Sequence, residues 1–316
     1  MRVVRGLHAI RPRKCLCLAM GVFDGVHIGH REIISRAVAA AAEMGGAAAV
    51  LTFEPHPEAV LRARGAPQLL TTTSEKLALL RALGVKVAVV APFDTDLAGM
   101  PAETLVEDVV VRRLGACCLF VGEGWRFGSG ARGTTDLLQR MGRTYGFRVG
   151  IIPRIAAGGA PVSSTRIRRL LARGKVGPAA ELLGRPYELS GEVVTGAGRG
   201  RRLGWPTANV LPPAEKLVPG DGVYACWAGL RRLGPAVTNI GVRPTFELRG
   251  GRTIEVHLLG RPRVDLVGRN LRVAFGERLR AERRFAKAED LLAQMERDAA
   301  RAQKVLSGLQ GPADVL

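Results

Sequence analysis

The chain has 316 residues, 47% of them hydrophobic, and a formal net charge of +19, so it can bury a sizeable core and is expected to hold two domains. The charge favours anionic partners such as nucleotides, polyphosphates, nucleic acid or a membrane surface, with a merely arginine-rich solvated face as the plainer alternative. Five cysteines (Cys15, Cys17, Cys117, Cys118, Cys226), odd in number and without a C-x-x-C pair, argue against a disulfide framework or zinc site and read as small core residues.

In chain order, "MRVVRGLHAIRPRK" carries no apolar stretch of signal-peptide length, which leads to the expectation of a soluble protein of a reducing cytoplasm with no membrane partner. From Cys15 to Ile155, short apolar runs ("CLCLAM", "AAAVLTF", "VKVAVVAPF", "ACCLFVG", "RVGIIPRI") alternate with helix-like segments ("REIISRAVAAAAEM", "SEKLALLRALG", "PAETLVEDVVVRRLG", "TTDLLQRMGRTYG"). That cadence predicts a parallel sheet covered by helices. "SSTRIRRLLARG" predicts a further helix from a serine cap to Gly174.

Past about residue 185 the style changes to short alternating runs between Gly/Pro turns: "LSGEVVTG", "TANVL", "GVYACWAGL", "AVTNIGV", "TIEVHLLG" and "NLRVAFG". These predict an antiparallel barrel or sandwich, with the domain boundary near "LLGRPYE": residues 1–184, then 185–316. In the closing "AEDLLAQMERDAARAQKVL", Leu291, Leu292, Met295, Ala299, Ala302 and Leu306 recur at helical spacing, a stripe suited to packing on the barrel.

Two of the chain's five histidines, His27 and His30, stand in "GVFDGVHIGHREII", at a strand-to-helix turn where open α/β sheets bind ligands. Spaced i and i+3, they share one face of the first helical turn. Backbone N–H groups and the helix dipole suit that turn to a phosphate, and Gly29 removes a Cβ from its approach. Two imidazoles there can donate hydrogen bonds to a phosphorus centre in the transition state. The residues alone leave open a metal site, with His56 of "FEPHPE" as a further ligand, and a pair of ordinary helix-surface histidines. "GSGARG" at 128–133 fits G-x-G-x-x-G but neither follows the first strand nor has an acidic residue about twenty positions on, so a dinucleotide fingerprint is rejected.

In the second half, Thr207 and Asn209 of "GWPTANV" project from one face of an extended chain and offer hard oxygens suited to Mg²⁺. A proline-initiated turn accounts for the same residues without chemistry. In "RTIEVHLL" the alternation sends Thr253, Glu255 and His257 to one face.

"GVFDGVHIGH", "FEPHPE", "RFGSGARG" and "VSSTRIRRLL", in that order, with "GWPTAN" later, resemble the bacterial bifunctional riboflavin kinase/FMN adenylyltransferase (FAD synthetase) family over about residues 15–308. The resemblance implies an α/β nucleotidyltransferase-like parallel-sheet domain followed by an antiparallel β-barrel domain with a C-terminal helix. It implies that riboflavin and ATP give FMN and ADP in the barrel domain, and that FMN and ATP give FAD and pyrophosphate in the other, both with Mg²⁺. His27 and His30, with Gly21, Phe23, Asp24 and Gly29, would meet the ATP phosphates, and Ser163, Ser164, Thr165, Arg166 and Arg168 would clamp them from a second helix start. Trp125 and Phe127 would approach the flavin of FMN.

In the barrel, the resemblance gives Thr207 and Asn209 to Mg²⁺·ATP with Gly198 and Gly204 of the upstream glycine-rich backbone. Glu255 would accept the proton of the riboflavin 5′-hydroxyl, and Arg280, Glu282 and Phe285 of "LRAERRF" would contact the flavin ring. The chain departs from the family pattern at Gly124, where an Asp or Asn usually precedes the aromatic before "RFG", and at Val267, where Tyr is usual. Two rival readings remain at this point: a kinase whose first half binds nucleotide without adenylyl transfer, and a basic nucleic-acid binder. The partners expected are riboflavin, FMN and ATP, without nucleic acid or membrane, on a monomer or weak homo-oligomer.

Overall fold

The computed structural model describes residues 1–7, 15–62, 65–196, 204–242, 252–260, 265–283 and 285–312. In the first half the apolar runs become the strands β1 (Arg2–Arg5), β2 (Leu16–Met20), β3 (Ala47–Glu54), β4 (Val87–Pro92), β5 (Ala116–Gly122) and β6 (Arg148–Ile152). They pair in the order β1-β4-β3-β2-β5-β6, every neighbouring pair parallel. The strand β1 was not anticipated; its four residues become a strand by pairing with β4.

The crossovers carry α1 (Ile28–Glu43), α2 (Pro57–Leu61), α3 (Thr73–Ala82), α4 (Thr95–Gly99), α5 (Ala102–Thr104, running on as a π-helical stretch Leu105–Arg113) and α6 (Thr135–Tyr145). Alternate residues of β2 feed the two faces of the sheet: Leu16, Leu18 and Met20 pack with Leu51, Val106, Val110 and Leu119, whereas Ala19 packs with Ile34, Ala37 and Leu80. Burial on both faces is why the strand reads as one continuous apolar run. From β2 the chain steps outward to β3 and β4 on one side, and on the other lie β5 and β6. The carboxyl ends of β2 and β5 therefore flank the reversal point where such sheets bind ligands.

Pairing of β2 with β5 also brings Cys15 and Cys117 to a Cα–Cα distance of 5.5 Å, and they form a disulfide. This corrects the expectation of five core thiols; Cys17, Cys118 and Cys226 are free and buried.

A hairpin of β7 (Ala156–Ala157) and β8 (Ala160–Pro161) precedes α7 (Ser164–Ala172) and α8 (Val176–Leu183). Then β9 (Tyr187–Val194), β10 (Ala208–Leu211), β11 (Gly222–Gly229), β12 (Gly234–Val242), β13 (Arg252–Leu258) and β14 (Asn270–Arg280) close a barrel in the order β10-β13-β12-β11-β14-β9, all antiparallel. The closing helix, α9 (Ala288–Ser307), lays Ala302 and Leu306, flanked by Ala299, on Val223, Ala225 and Leu279. Two compact units divide at the start of α7, Met1–Ser164 and Thr165–Asp314. That division lies ahead of the 184/185 boundary expected from sequence, and α8 packs on β9 and β14 of the barrel. No described helix is long and apolar enough to cross a membrane.

Candidate active sites

The turn after β2 is held by its own side chains. Phe23 and Val26 adopt φ of 52° and 40°, a left-handed backbone that costs a residue with a side chain about 1 kcal/mol or more. Both are 1% exposed, so core burial holds the strained turn in place. The Asp24 carboxylate points into the protein, Oδ2 accepting from Leu70 N–H at 3.1 Å and Oδ1 from Thr71 N–H at 3.0 Å. Asp24, expected at the nucleotide, thus organises the turn through its side chain. Its carbonyl accepts the Ser164 hydroxyl at 2.9 Å, which joins two distant motifs of the sequence.

His27 ends the turn and caps α1, its Nδ1 accepting the N–H of His30 at 3.3 Å. A ring nitrogen that accepts carries no proton, so the proton of this neutral imidazole sits on Nε2 and remains a donor. The His27 and His30 rings stack with centroids 3.5 Å apart, and the Phe23 ring meets His30 edge-on at 5.3 Å. Burial first, then His27 and Lys76, hold His30 well below the usual 6.5, so it too is neutral. Its Nδ1 is buried with no hydrogen-bond partner among the described residues, a cost of about 1–3 kcal/mol that a ligand hydrogen bond removes. A Cβ on Gly29 would lie 3.2 Å from the His27 ring, and one on Gly21 3.1 Å from Phe23, so both glycines serve close packing of this turn.

His56 instead caps α2, with Nδ1 accepting from Glu58 N–H at 3.2 Å. Among the described residues no group of three or more His, Cys, Asp or Glu is arranged to hold a metal. A residue that sequence reading missed is Lys76 on α3, 6% exposed, whose Nζ donates to the Val22 carbonyl at 3.0 Å and to Thr52 Oγ1 at 3.1 Å. Its only sequence signal was a charged residue on the inward side of a helical pattern.

At the end of β5, Trp125 and Phe127 stack with centroids 5.0 Å apart. Phe127 is buried in the core, and Trp125 is half-buried. Gly124 has φ 71°, and a Cβ built on it would lie 2.7 Å from Nη2 of Arg154. A guanidinium from the loop after β6 therefore covers the position where the family pattern has an Asp or Asn. Ser163 immediately precedes α7; Thr165 is exposed on that helix, and Arg166 and Arg168 are half-buried on it, all three in the second unit.

In the barrel, register builds the second site. Asn209 of β10 lies opposite Glu255 of β13, and Glu255 lies opposite Asn239 of β12, which in turn faces Val223 of β11. Val223 packs in the cluster beneath α9, so all four residues share the outer face of the barrel. His257, two residues beyond Glu255 on the same face, holds the loop before β10: Nδ1 lies 2.8 Å from the Pro206 carbonyl, and the ring tilts against Trp205 at 4.6 Å. Thr207 directly precedes β10, and a Cβ on Gly196 would lie 2.1 Å from Nδ2 of Asn209, so the carboxamide rests on bare backbone there. Gly204, with φ 79°, is exposed, and Gly198 lies outside the described residues.

Of the three expected flavin contacts of this half, Arg280 is bound to Asp298 of α9 by Nη2–Oδ2 at 2.8 Å and Nε–Oδ2 at 3.0 Å. Phe285 lies under the guanidiniums of Arg280 and Arg283, at 5.9 and 4.9 Å. The exposed Glu282 lies over Gly241, where a Cβ would stand 2.0 Å from Oε1. Asn239 and His257 were not singled out from sequence as site residues, because their partners come from strands distant in the chain.

A parallel sheet with a phosphate-suited helix start at its reversal point, joined to a closed barrel that aligns a carboxylate with a carboxamide, defines a two-module nucleotide-dependent transferase. Residues 10–166 match the family model described as FAD synthetase, and residues 183–306 match that described as riboflavin kinase. The sequence is 38% identical to the bifunctional riboflavin kinase/FMN adenylyltransferase of Escherichia coli (strain K12), covering 99% of this chain and 100% of that one. It is likewise 38% identical to the protein of the same name from Pseudomonas fluorescens, covering 96% and 97%. A solved structure described as a macrolide-efflux protein from Streptococcus pneumoniae superposes with a TM-score of 0.87 at 26% identity, over 96% of this chain and 99% of that chain.

The chain belongs to the bifunctional riboflavin kinase/FMN adenylyltransferase family, and it makes FAD in two ATP-dependent steps, riboflavin to FMN and FMN to FAD.

Proposed function

We propose that adenylyl transfer takes place at the turn after β2 and phosphorylation at the Asn209–Glu255–Asn239 row of the barrel. For adenylyl transfer, a phosphate oxygen of FMN bonds to the α-phosphorus of ATP as the bond to the β-phosphate breaks and pyrophosphate leaves. The N–H groups of Ile28 and Gly29 at the start of α1 and the Nε2–H of His27 receive the phosphates, and His30 donates or accepts at the transferring group. The observation that carries this reading is the His27–His30 stack at 3.5 Å on a helix cap that dictates the tautomer. Ser164, whose hydroxyl bonds to the Asp24 carbonyl of the same turn, supports it.

In the barrel, Glu255 accepts the proton of the riboflavin 5′-hydroxyl as that oxygen bonds to the γ-phosphorus and ADP leaves. The Asn209 carboxamide and the Thr207 hydroxyl are neutral hard donors, and the bare backbone at Gly196 leaves the carboxamide its place, a fit for Mg²⁺. When bound, Mg²⁺ neutralises nucleotide phosphate charge. We take the enzyme to act on these small molecules in the cytoplasm, as a monomer or weak homo-oligomer and without nucleic acid.

Product analysis with riboflavin and FMN supplied separately tests the two assignments. Glu255→Gln is expected to lower FMN formation by about 100-fold or more, with FAD still made from supplied FMN. His30→Ala is expected to do the converse. A variant that impairs both steps equally, or neither, overturns the placement.

A further inference from the structure

Lys76 is a buried cation to which the two reactions, as described, give no task. The residue is 6% exposed, and burial lowers its proton affinity against the raising effect of Asp24 and Glu54. Neither carboxylate bonds to it. Asp24 accepts from Leu70 and Thr71, and Glu54 accepts from Thr73 Oγ1 at 2.5 Å and Arg5 Nη1 at 2.7 Å. Two of its N–H groups go to the Val22 carbonyl and Thr52 Oγ1, leaving one without an acceptor among the described residues. A buried ammonium held only by neutral oxygens is costly, and such groups are kept where an anion arrives or where a neighbour's protonation must be controlled.

Both conditions meet here. Val22 is the second residue of the phosphate turn, and the charge of Lys76 bears on His30 from the α3 side while His27 bears on it from the cap of α1. We propose that Lys76 is a positioning residue for adenylyl transfer, tying the phosphate turn to β3 through Val22 and Thr52 and setting a fixed positive charge behind the imidazole pair. The inference rests on the assignment of that turn to adenylyl transfer. The fixed charge helps to hold His30 in its neutral form, ready to hydrogen-bond, and offers an arriving phosphate a charge already stripped of water.

The test uses the full chain, with riboflavin phosphorylation as an internal control. In Lys76→Met the side chain stays unbranched and is one atom shorter, and Val22 keeps the Thr52 hydroxyl as a donor at 2.9 Å, so the turn retains a tie. FAD formation from FMN is expected to lose about 10-fold or more in kcat, with FMN formation unchanged. Removing the charge relieves one of the causes that depress His30, so its pKa rises and the acid limb of the FAD rate profile moves toward neutral pH. Lys76→Arg keeps the charge and is expected to keep the acid limb where it was, whatever it does to the rate.

An unshifted acid limb in Lys76→Met overturns the proposal, whether the rate is unchanged or reduced equally at every pH, because a purely scaffolding role predicts that result. If His30→Ala makes FAD at the parental rate, the assignment of the turn itself fails and the proposal falls with it. Parental FAD formation and an unshifted acid limb in Lys76→Met, beside an inactive His30→Ala, sink the proposal alone.

Discussion

His27 caps the helix that His30 opens: its Nδ1 accepts the His30 backbone N–H at 3.3 Å while the two rings lie stacked, centroids 3.5 Å apart. One side chain thus caps the helix with one nitrogen and carries its proton on the other. The two roles separate by substitution. His27→Asn keeps a capping oxygen and is expected to unfold near the parental midpoint, whereas His27→Ala loses about 1 kcal/mol. Both are expected to lose about 100-fold in FAD formation. Thermal denaturation beside a pyrophosphate-release assay checks this; an active His27→Asn would reduce the residue to a cap.

Gly196 faces Asn209 more closely than any side chain permits, a Cβ there falling 2.1 Å from Nδ2. Gly196→Ala is therefore expected to displace the carboxamide and raise the Mg²⁺ and ATP concentrations needed for half-maximal FMN formation, with FAD formation from supplied FMN unaffected. Magnesium titration of the two activities in one preparation reads both.

Arg280 and Asp298 form an ion pair of three contacts between β14 and α9, with side chains 22% and 7% exposed. Arg280→Ala leaves a buried carboxylate unpaired and is expected to cost about 3 kcal/mol or more. Arg280→Met with Asp298→Leu removes both charges and is expected to recover most of that stability. If riboflavin KM stays raised in the recovered double variant, Arg280 contacts flavin as well; a parental KM confines it to holding α9.

Gly124 lies 2.7 Å, at its virtual Cβ, from the Arg154 guanidinium. Gly124→Asp costs about 1 kcal/mol for its left-handed backbone, and the new carboxylate is expected to pair with Arg154. FAD output is then expected to rise in Gly124→Asp combined with Arg154→Ala, where the carboxylate is released, and not in Gly124→Asp alone. Equal output in both would show that the reaction is indifferent to the group at 124.

Much of the fold was legible because the inner strands β2, β3 and β4 of the first domain are buried on both faces and so read as runs, while barrel strands are short runs between Gly/Pro turns. The strand β1 escaped notice because RVVR has no signal beyond its pairing with β4. The cysteines were misjudged because Cys15 and Cys117 are far apart in the chain, and no spacing rule foretells that β2 and β5 are neighbours. Asp24 was expected at the nucleotide and Arg280 at the flavin, whereas in the fold their charged groups bond to Leu70, Thr71 and Asp298.

The motifs by themselves determined the chemistry this protein is equipped for: imidazoles at a helix start, a hydroxyl and carboxamide before a strand, a carboxylate on an alternating face. Those are local properties, set by residue type and by the periods of helix and strand. Tertiary structure alone decided which way each group is spent. Whether a carboxylate meets solvent, backbone N–H or a guanidinium depends on which distant segments lie beside it, and that is settled by sheet order, barrel register and burial. Lys76 shows the difference: an unremarked charge in a helical run became a buried ammonium only when α3 packed its inward face against Val22 and Thr52.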